Sequence, residues 1–304
     1  MLSEPGLDNP QVRSVANYYD ENTRAFVRRG HGRTTGAIHR AVWGPGVHTR
    51  EDAMHHVEDR LLRYWLDRSA GREREQPAYF LDLGCGIGGS LCSLASKAAR
   101  LGLVKFSGVG VTISSVQVEI AASFIAQRGW SDRVQCIQGD YCELPDRIPP
   151  DADVAFAIES FVHGPSPTRF FSEAARMLKP GGLLMVCDDL LASPLESLIE
   201  PTSRLAERYR VGWQAVTLVT EQQLLAEAGK AGLTHAATWD LTGHLELDRP
   251  RDRAISVLVA LLGELPIRSS YFGMLKGGDA LQKGLKAGWL QYKAVLLEKP
   301  RRAE

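Results

Sequence analysis

Short apolar runs alternate with segments of helical spacing over most of this 304-residue chain. Runs of about four to eight residues bounded by polar or glycine positions predict strands, and apolar positions three and four residues apart predict helices. Because the two kinds of segment alternate, we expect an α/β fold with a doubly wound, mostly parallel sheet of seven strands. The predicted strands are residues 80–83, 105–111, 134–139, 153–158, 183–187, 233–240 and 290–298.

The regions outside this alternation are helical. Residues 15–26 and 53–66 have amphipathic spacing, and a glycine-rich stretch separates them. We therefore predict an N-terminal helical cover over residues 1–75, which either closes over a site or packs on the sheet as a plain helical layer. The core then spans residues 76–304 and carries a helical insertion at about residues 190–220.

A glycine-rich turn follows the first core strand. Asp82 lies at the end of the strand, and Gly84, Gly86 and Gly88 follow at alternate positions before a helical stretch. Glycines let a ligand approach the backbone closely, and the start of a helix presents unpaired N–H groups. The turn lacks the later Gly-Lys-Ser/Thr of a nucleoside triphosphate site, so it predicts a nucleoside pocket without a phosphate cradle. Residues that follow the neighbouring strands at the same sheet edge are Thr112, Asp140 and Glu159.

Composition narrows the choice of partner and compartment. Lys plus Arg and Asp plus Glu number 36 each, so no overall charge favours nucleic acid. The five cysteines include no C-x-x-C pair, which argues against a disulfide framework and a zinc site, and the adjacent His55 and His56 point in different directions on a helix. No signal peptide and no apolar run of about 18 residues is present, so we expect a cytoplasmic protein without a membrane span.

Four segments, in their order along the chain, resemble the class I S-adenosylmethionine-dependent methyltransferases. They are residues 80–88, 110–114, 139–140 and 178–182. The resemblance covers about residues 75–240, and within that superfamily the chain is similar to the branch of sterol side-chain, tocopherol, cyclopropane-type and prenyl diphosphate C-methyltransferases. It implies a Rossmann-like fold and S-adenosyl-L-methionine as the cofactor.

The resemblance also implies a cofactor site along the sheet edge. Most members of the superfamily place an acid after the second strand to hold the ribose hydroxyls. Thr112 and Gln117 stand there instead, and we expect the Gln117 amide to take over part of that role. Asp82 is expected to orient the turn or to hold the methionine ammonium group, and Asp140 with Tyr141 to meet the adenine. The predicted cofactor-binding residues are Tyr19, Asp82, Gly84, Gly86, Gly88, Thr112, Ile113, Gln117, Asp140 and Tyr141.

Glu159 and His163 are the predicted catalytic residues. The segment Phe156-Ala157-Ile158-Glu159-Ser160 with His163 is similar to the Ile-Glu-Ala-x-x-His segment of sterol side-chain methyltransferases. Methylation of an unactivated alkene creates a carbocation, which needs stabilising rings or anions, a dry pocket and a base. Glu159 suits the base. His163 either holds Glu159, acts as the base itself, or caps the turn.

Aromatic residues occur in each segment expected to border the acceptor pocket. The predicted substrate-binding residues are Tyr18, Phe161, Tyr209, Trp213, Tyr271, Phe272 and Trp289. From these features and the resemblance we expect methyl transfer to an alkene carbon of an isoprenoid, a short prenyl diphosphate being the first choice. A diphosphate would draw on a pool of basic residues and on Mg²⁺, although the sequence has no motif that fixes either. That pool is Arg28, Arg29, Arg33, Arg40, Lys276, Lys283 and Lys286.

Two other functions stay open at this point. One is methylation of a carbon, oxygen or nitrogen atom on a sterol, a quinol or another small natural product. The other is a cofactor-binding partner protein without turnover. Whether the chain forms a homo-oligomer and whether it needs Mg²⁺ are also left open by the sequence.

Overall fold

The computed structural model describes residues 9–29, 36, 39–69, 76–103, 105–263 and 269–301. Its centre is a seven-stranded sheet in the order β3-β2-β1-β4-β5-β7-β6. The strands β1 to β5 pair in parallel, and β7 runs antiparallel to both β5 and β6. This confirms the predicted mostly parallel, Rossmann-like sheet. The strands are β1 Ala78–Leu83, β2 Phe106–Thr112, β3 Val134–Gln138, β4 Ala152–Ile158, β5 Leu178–Leu191, β6 Thr234–Asp240 and β7 Leu290–Glu298.

Helices cover both faces of the sheet, because successive strand residues point to opposite sides and both sides are apolar. Phe80, Val154 and Met185 pack on one face, whereas Leu81 and Ala155 belong to the core on the other. The helices are α1 Pro10–Arg29, α2 Arg50–Met54, α3 His56–Arg68, α4 Gly89–Arg100, α5 Ser115–Gln127, α6 Pro167–Met177, α7 Thr202–Gly212, α8 Glu221–Lys230, α9 Pro250–Leu262 and α10 Ser270–Ala287.

Two elements differ from the sequence prediction. The single helix expected over residues 53–66 is two helices, α2 and α3, with a break at His55. The turn expected over residues 179–182 lies inside β5, where the pairing with β4 shifts register between Ala152 and Val154. The extra residues of this bulge keep the strand continuous, so β5 starts earlier than its apolar run indicates.

The insertion after β5 packs against the C-terminal helix through glycines. A Cβ on Gly212 of α7 would lie 2.4 Å from the Gly273 carbonyl oxygen of α10, and one on Gly277 would lie 2.9 Å from the Gly212 Cα. Because real Cβ atoms do not approach so closely, glycine is required where these two helices cross. The close crossing fixes α7 and α10 as one wall above the sheet edge.

The cover is joined to the core by specific contacts. Ser114, the N-cap of α5, donates a hydrogen bond to Asp20 of α1, and Val42 forms an isolated bridge with Leu245. None of the helices in the described ranges is long and apolar enough to cross a bilayer. The division into a cover and a core stays a prediction.

Candidate functional site

A cavity with about 1330 Å³ of empty space, its open mouth included, lies at the carboxyl edge of the sheet. Its walls come from the ends of β1, β2 and β4, from β5, and from helices α1, α7 and α10. The sequence-predicted residues that line it are Tyr18, Tyr19, Asp82, Gly84, Gly86, Thr112, Ile113, Gln117, Tyr141, Glu159, His163, Tyr209 and Trp213. The parallel topology therefore brings together segments that are far apart in the chain.

The turn after β1 forms one end of the cavity. Gly84 has a φ of 112°, and a Cβ there would lie 2.2 Å from the Ser160 Cβ, so this position requires glycine. Asp82 is buried beside the turn, and burial holds the pKa of its carboxyl well above the ordinary value, with the charge of Glu58 adding to the effect. A positively charged ligand group at this end would offset the cost of ionising Asp82.

Thr112 and Gln117 contact each other instead of facing the cavity independently. The Thr112 hydroxyl donates to Gln117 Oε1 at 2.6 Å, and Gln117 Nε2 donates to the Thr23 hydroxyl of α1 at 3.2 Å. The Gln117 amide thus ties the cover helix to the end of β2. Its predicted role toward a ribose stays a prediction.

Asp140 and Gly88 do not line the cavity, although both are predicted cofactor residues. The Asp140 carboxylate accepts a hydrogen bond from the Cys142 N–H at 2.8 Å, which stabilises the local turn, and Gly88 is the left-handed N-cap of α4. Tyr141 does line the cavity, and its hydroxyl donates to the Ser160 carbonyl oxygen at 2.6 Å. The adenine contact expected of Asp140 stays a prediction.

Glu159 is held in an ion pair. Its Oε1 accepts from the Arg40 N–H at 2.8 Å, from Arg40 Nε at 3.0 Å and from the Tyr292 hydroxyl at 2.9 Å. Burial alone would raise the pKa of Glu159, but the charges of Arg40 and His39 and the hydrogen bonds from Arg40 together outweigh burial, so the pKa is lowered. A carboxylate stabilised in this way is a weak base, which argues against the predicted role of Glu159.

His163 has the geometry of a base. Its Nδ1 lies 3.1 Å from the Gln214 carbonyl oxygen, which can only accept, so Nδ1 carries the proton. Burial lowers the pKa of His163, so the ring is neutral at pH 7. Nε2 is then the free acceptor and receives a hydrogen bond from the Tyr19 hydroxyl at 2.8 Å.

Two acids on β5 complete the polar wall opposite the turn. Asp189 accepts from Arg40 Nη1 at 2.8 Å and from the Tyr209 hydroxyl at 2.6 Å. Burial, assisted by the neighbouring charge of Asp189, raises the pKa of Asp188 to about 8. Both Asp188 oxygens accept backbone N–H groups, of Val162 and Asp189. Arg40 is therefore the cation that links Glu159 and Asp189 across this wall.

A buried histidine–glutamate group lies behind the cavity. Glu58 of α3 is fully buried and contacts His55 Nδ1 at 2.8 Å and His39 Nε2 at 3.7 Å. Burial opposes protonation of His39, yet the charge and hydrogen bond of Glu58, the charge of Glu159 and a hydrogen bond to the Arg40 backbone together outweigh it and raise the pKa of His39 to about 9. His39 lines the cavity, so it adds a positive charge near Asp82.

Four predicted substrate residues lie outside the cavity lining. Phe161 packs in the core against Phe170 and Phe171, and Phe272 and Trp289 are also buried. Tyr271 is 49% exposed on the outside of α10. Their segments were predicted to border the pocket, but the four side chains point into the core or to solvent and not into the cavity.

The basic residues considered for a diphosphate are already paired where the structure describes them. Arg40 binds Glu159 and Asp189, Lys283 binds Asp279, Lys286 binds Asp248, and Lys276 lies over the Phe272 ring. The side chains of Arg28, Arg29 and Arg33 lie outside the described residues. No group of three or more His, Cys, Asp or Glu side chains that could hold a metal ion occurs in the described part of the chain.

Sequence reasoning missed four residues of the site. Asp188 and Asp189 lie at the end of the apolar run of β5, on the same edge as Glu159, and this position is a usable signal. Tyr292 lies in the middle of a closing strand, and His39 lies in an irregular stretch. For these two, no local pattern indicates a role.

Comparison with known proteins relates this chain to methyltransferases. Residues 81–186 match the family described as a methyltransferase domain. The chain is 29% identical to a sterol 24-C-methyltransferase of Gibberella zeae over an alignment of 315 positions. This alignment covers 91% of this chain and 79% of the relative. It is 32% identical over 207 residues to the 27-O-demethylrifamycin SV methyltransferase of Amycolatopsis mediterranei, covering 67% and 69%. The crystal structure of geranyl diphosphate C-methyltransferase from Streptomyces coelicolor, in complex with Mg²⁺, geranyl diphosphate and S-adenosyl-L-homocysteine, has a TM-score of 0.66 at 15% identity, covering 96% and 99%.

Proposed function

Since the chain belongs to the class I S-adenosylmethionine-dependent methyltransferases, we propose that it methylates an alkene carbon of an isoprenoid. The observation that carries the proposal is the neutral His163–Tyr19 pair, which lies in a cavity also lined by aromatic rings and by the ion-paired carboxylates Glu159 and Asp189. Aromatic rings and carboxylates stabilise a cationic intermediate, and a neutral histidine removes a proton from it.

The residues at the glycine turn fit the cofactor. The buried Asp82 carboxyl suits the methionine ammonium group, and Gly84 leaves the turn free of a side chain. When bound, S-adenosyl-L-methionine supplies a methyl group on a positively charged sulfur atom. Tyr18 and Tyr19 of the cover line the same cavity and exclude water from it.

The proton is assigned to the tyrosine–histidine pair. With the cofactor bound, the alkene electrons would form the new carbon–carbon bond to the methyl group as the methyl–sulfur bond breaks, with its electron pair left on the sulfur atom and a carbocation left on the neighbouring carbon. A proton from the adjacent carbon passes to Tyr19 Oη as the Tyr19 proton moves to His163 Nε2, and the remaining electron pair closes a new double bond. Glu159 keeps its ion pair with Arg40 and contributes negative charge instead of accepting the proton.

Among the acceptors considered, a prenyl diphosphate finds the fewest suitable binding groups in the cavity. Its charge would need cations beyond Arg40, which two acids already neutralise, or Mg²⁺ held by the substrate itself. An uncharged isoprenoid needs neither. Within the proposal, the uncharged acceptor is therefore the first choice and the diphosphate the second.

One observation favours a second candidate function, transfer to a hydroxyl group of a natural product. The same Tyr19–His163 pair is suited to take the proton of a hydroxyl as its oxygen attacks the methyl group. A relative that is 32% identical is named 27-O-demethylrifamycin SV methyltransferase. This candidate needs no cationic intermediate and makes no use of the acid-rich wall.

The test is incubation with S-adenosyl-L-methionine and a panel of acceptors, with product mass as the readout. The panel holds a sterol, an uncharged prenyl alkene, geranyl diphosphate with and without Mg²⁺, and a hydroquinone. We expect the mass of the product to exceed that of the acceptor, with the added methyl group bonded to an alkene carbon. Methylation of the hydroquinone hydroxyl alone would favour the second candidate.

The base is tested by His163→Gln, which removes the Nε2 acceptor. We expect turnover to fall by about 10²–10⁴-fold with unchanged cofactor affinity, because general-base catalysis is lost while the cofactor side of the cavity stays intact. In the unchanged enzyme the acid limb of the rate lies below pH 6.5, since burial lowers the pKa of His163. Glu159→Gln is the matched comparison. If turnover were lost in that variant and kept in His163→Gln, Glu159 would be the base.

A further inference from the structure

Helix α9 presents an apolar strip to solvent. Ala254, Val257, Leu258 and Leu261 follow the spacing i, i+3, i+4 and i+7, which places them on one face of a helix. Val257, Leu258 and Leu261 are 60%, 38% and 75% exposed. We call these four residues the α9 strip.

The opposite side of α9 is already packed. Val259 is buried, and α9 contacts α10, which carries the cavity residue Leu281. The packing of α9 on the fold is therefore achieved without the strip. Three aliphatic side chains exposed in one line leave an apolar surface that is open to an occupant.

The charges around the strip are mostly positive. Arg251 and Arg253 are exposed one turn before the strip, and the acid of the helix, Asp252, is bound by Arg249 with contacts of 2.8 and 3.2 Å. Asp248 is paired with Lys286. A helix with exposed aliphatic side chains and flanking arginines has the character of a helix that lies in the surface of an anionic bilayer.

We propose that the protein docks on an anionic lipid surface through the α9 strip, with Arg251 and Arg253 facing the headgroups. The alternative occupant, a second copy of the chain, is less suited. A stable dimer buries about 800 Å² on each partner, far more than three large side chains supply. Shallow insertion into a bilayer needs no such area, because each aliphatic side chain gains independently from leaving water.

The proposal does not depend on the acceptor. The helix that carries the strip is linked to the cavity through α10, because α9 contacts α10 and Leu281 of α10 lines the cavity. Docking through α9 would bring the helical wall formed by α7 and α10 to the lipid surface.

The experiment is co-sedimentation of the full chain with vesicles. One vesicle contains equal parts of phosphatidylcholine and phosphatidylglycerol, and the other contains phosphatidylcholine alone. We expect binding to the mixed vesicle and weaker binding to the neutral one. The double variant Val257→Ser, Leu261→Ser should lose roughly tenfold or more in partition, since two aliphatic side chains no longer insert.

Two further variants keep the result interpretable. Leu101→Ser changes an aliphatic side chain that is 46% exposed at the end of α4, and it should bind as the unchanged protein does. Arg251→Gln with Arg253→Gln should remove the preference for the anionic vesicle while leaving the strip intact. No binding of the unchanged protein to either vesicle would overturn the proposal, as would equal binding by the double serine variant. A dimer that the serine variant dissociates would assign the strip to a second copy and would also overturn it.

Discussion

The two ends of the cavity are built in different ways. The cofactor end is the end formed by the glycine turn, Thr112 and Gln117. Its motifs join residues that are close in the chain, as in the Thr112–Gln117 hydrogen bond five positions apart, and the cover adds one contact through Thr23. The acceptor end is the wall that carries Glu159 and His163. There, Tyr19 and His163 are 144 positions apart, Arg40 and Glu159 are 119 apart, and Tyr292 and Glu159 are 133 apart. The first end is built mainly on local motifs at strand ends, whereas the contacts of the second join distant segments, with Tyr19 and Arg40 supplied by the cover.

The two ends also stabilise their buried carboxyl groups in different ways. The cofactor end relies on backbone shape and on one carboxyl, Asp82, whose pKa is raised by burial. The acceptor end holds Glu159 and Asp189 as ions by setting Arg40 between them, and it keeps Asp188 protonated at pH 7 because its pKa is raised to about 8. The acceptor end therefore depends on one arginine from the cover.

The largest expected effect is that of Arg40→Leu, which removes this cation. We expect the free energy of unfolding to fall by about 3–5 kcal/mol, because two largely buried carboxylates lose their partner. Denaturant unfolding with intrinsic fluorescence measures it. The pKa of Glu159 is lowered in the folded protein, so the stability it contributes is present above its ordinary pKa of about 4.5 and is lost as the pH falls. The difference between the two proteins should thus narrow in acid, and a difference that is constant with pH would contradict the role of the ion pair.

The next effect is that of Gly84→Ala, which tests the cofactor end. The new Cβ would overlap Ser160 and force alanine into a φ of 112°, so we expect a loss of about 2–4 kcal/mol in stability and weaker cofactor binding. Thermal unfolding and calorimetric titration with S-adenosyl-L-methionine measure both. Gly229→Ala in α8 is the control, because a Cβ there meets no atom within 4 Å. Equal behaviour of the two variants would show that the turn tolerates a side chain.

The smallest effect is that of Tyr292→Phe, which removes one of three hydrogen bonds to Glu159 Oε1. We expect a loss of about 1 kcal/mol, because the Arg40 contacts remain and the ring still lies under the guanidinium group, 4.1 Å from it. Denaturant unfolding measures it beside Arg40→Leu. A loss as large as that of Arg40→Leu would mean that the tyrosine, and not the arginine, holds the carboxylate in place.

Patterns in the sequence were enough to predict the fold class and the glycine turn at the edge of the sheet. The strand runs and the glycine turn at residues 84–88 reflect local rules of backbone shape and of alternating burial, and these rules act over a few residues. The sequence also placed Glu159 and His163 at the correct edge, because the carboxyl ends of parallel strands share one edge. The bulge in β5 and the break at His55 depend on packing, so they escaped prediction.

The side chain that we propose as the base at the acceptor end could be chosen only from the folded structure. The choice depends on protonation, and protonation depends on neighbours that the fold brings from distant segments. Arg40 from the cover fixes Glu159 as a weak base, and the Gln214 carbonyl fixes the proton of His163 on Nδ1. Neither neighbour carries a signal in its own stretch of sequence, because an electrostatic partner is defined by distance in space and not by separation along the chain.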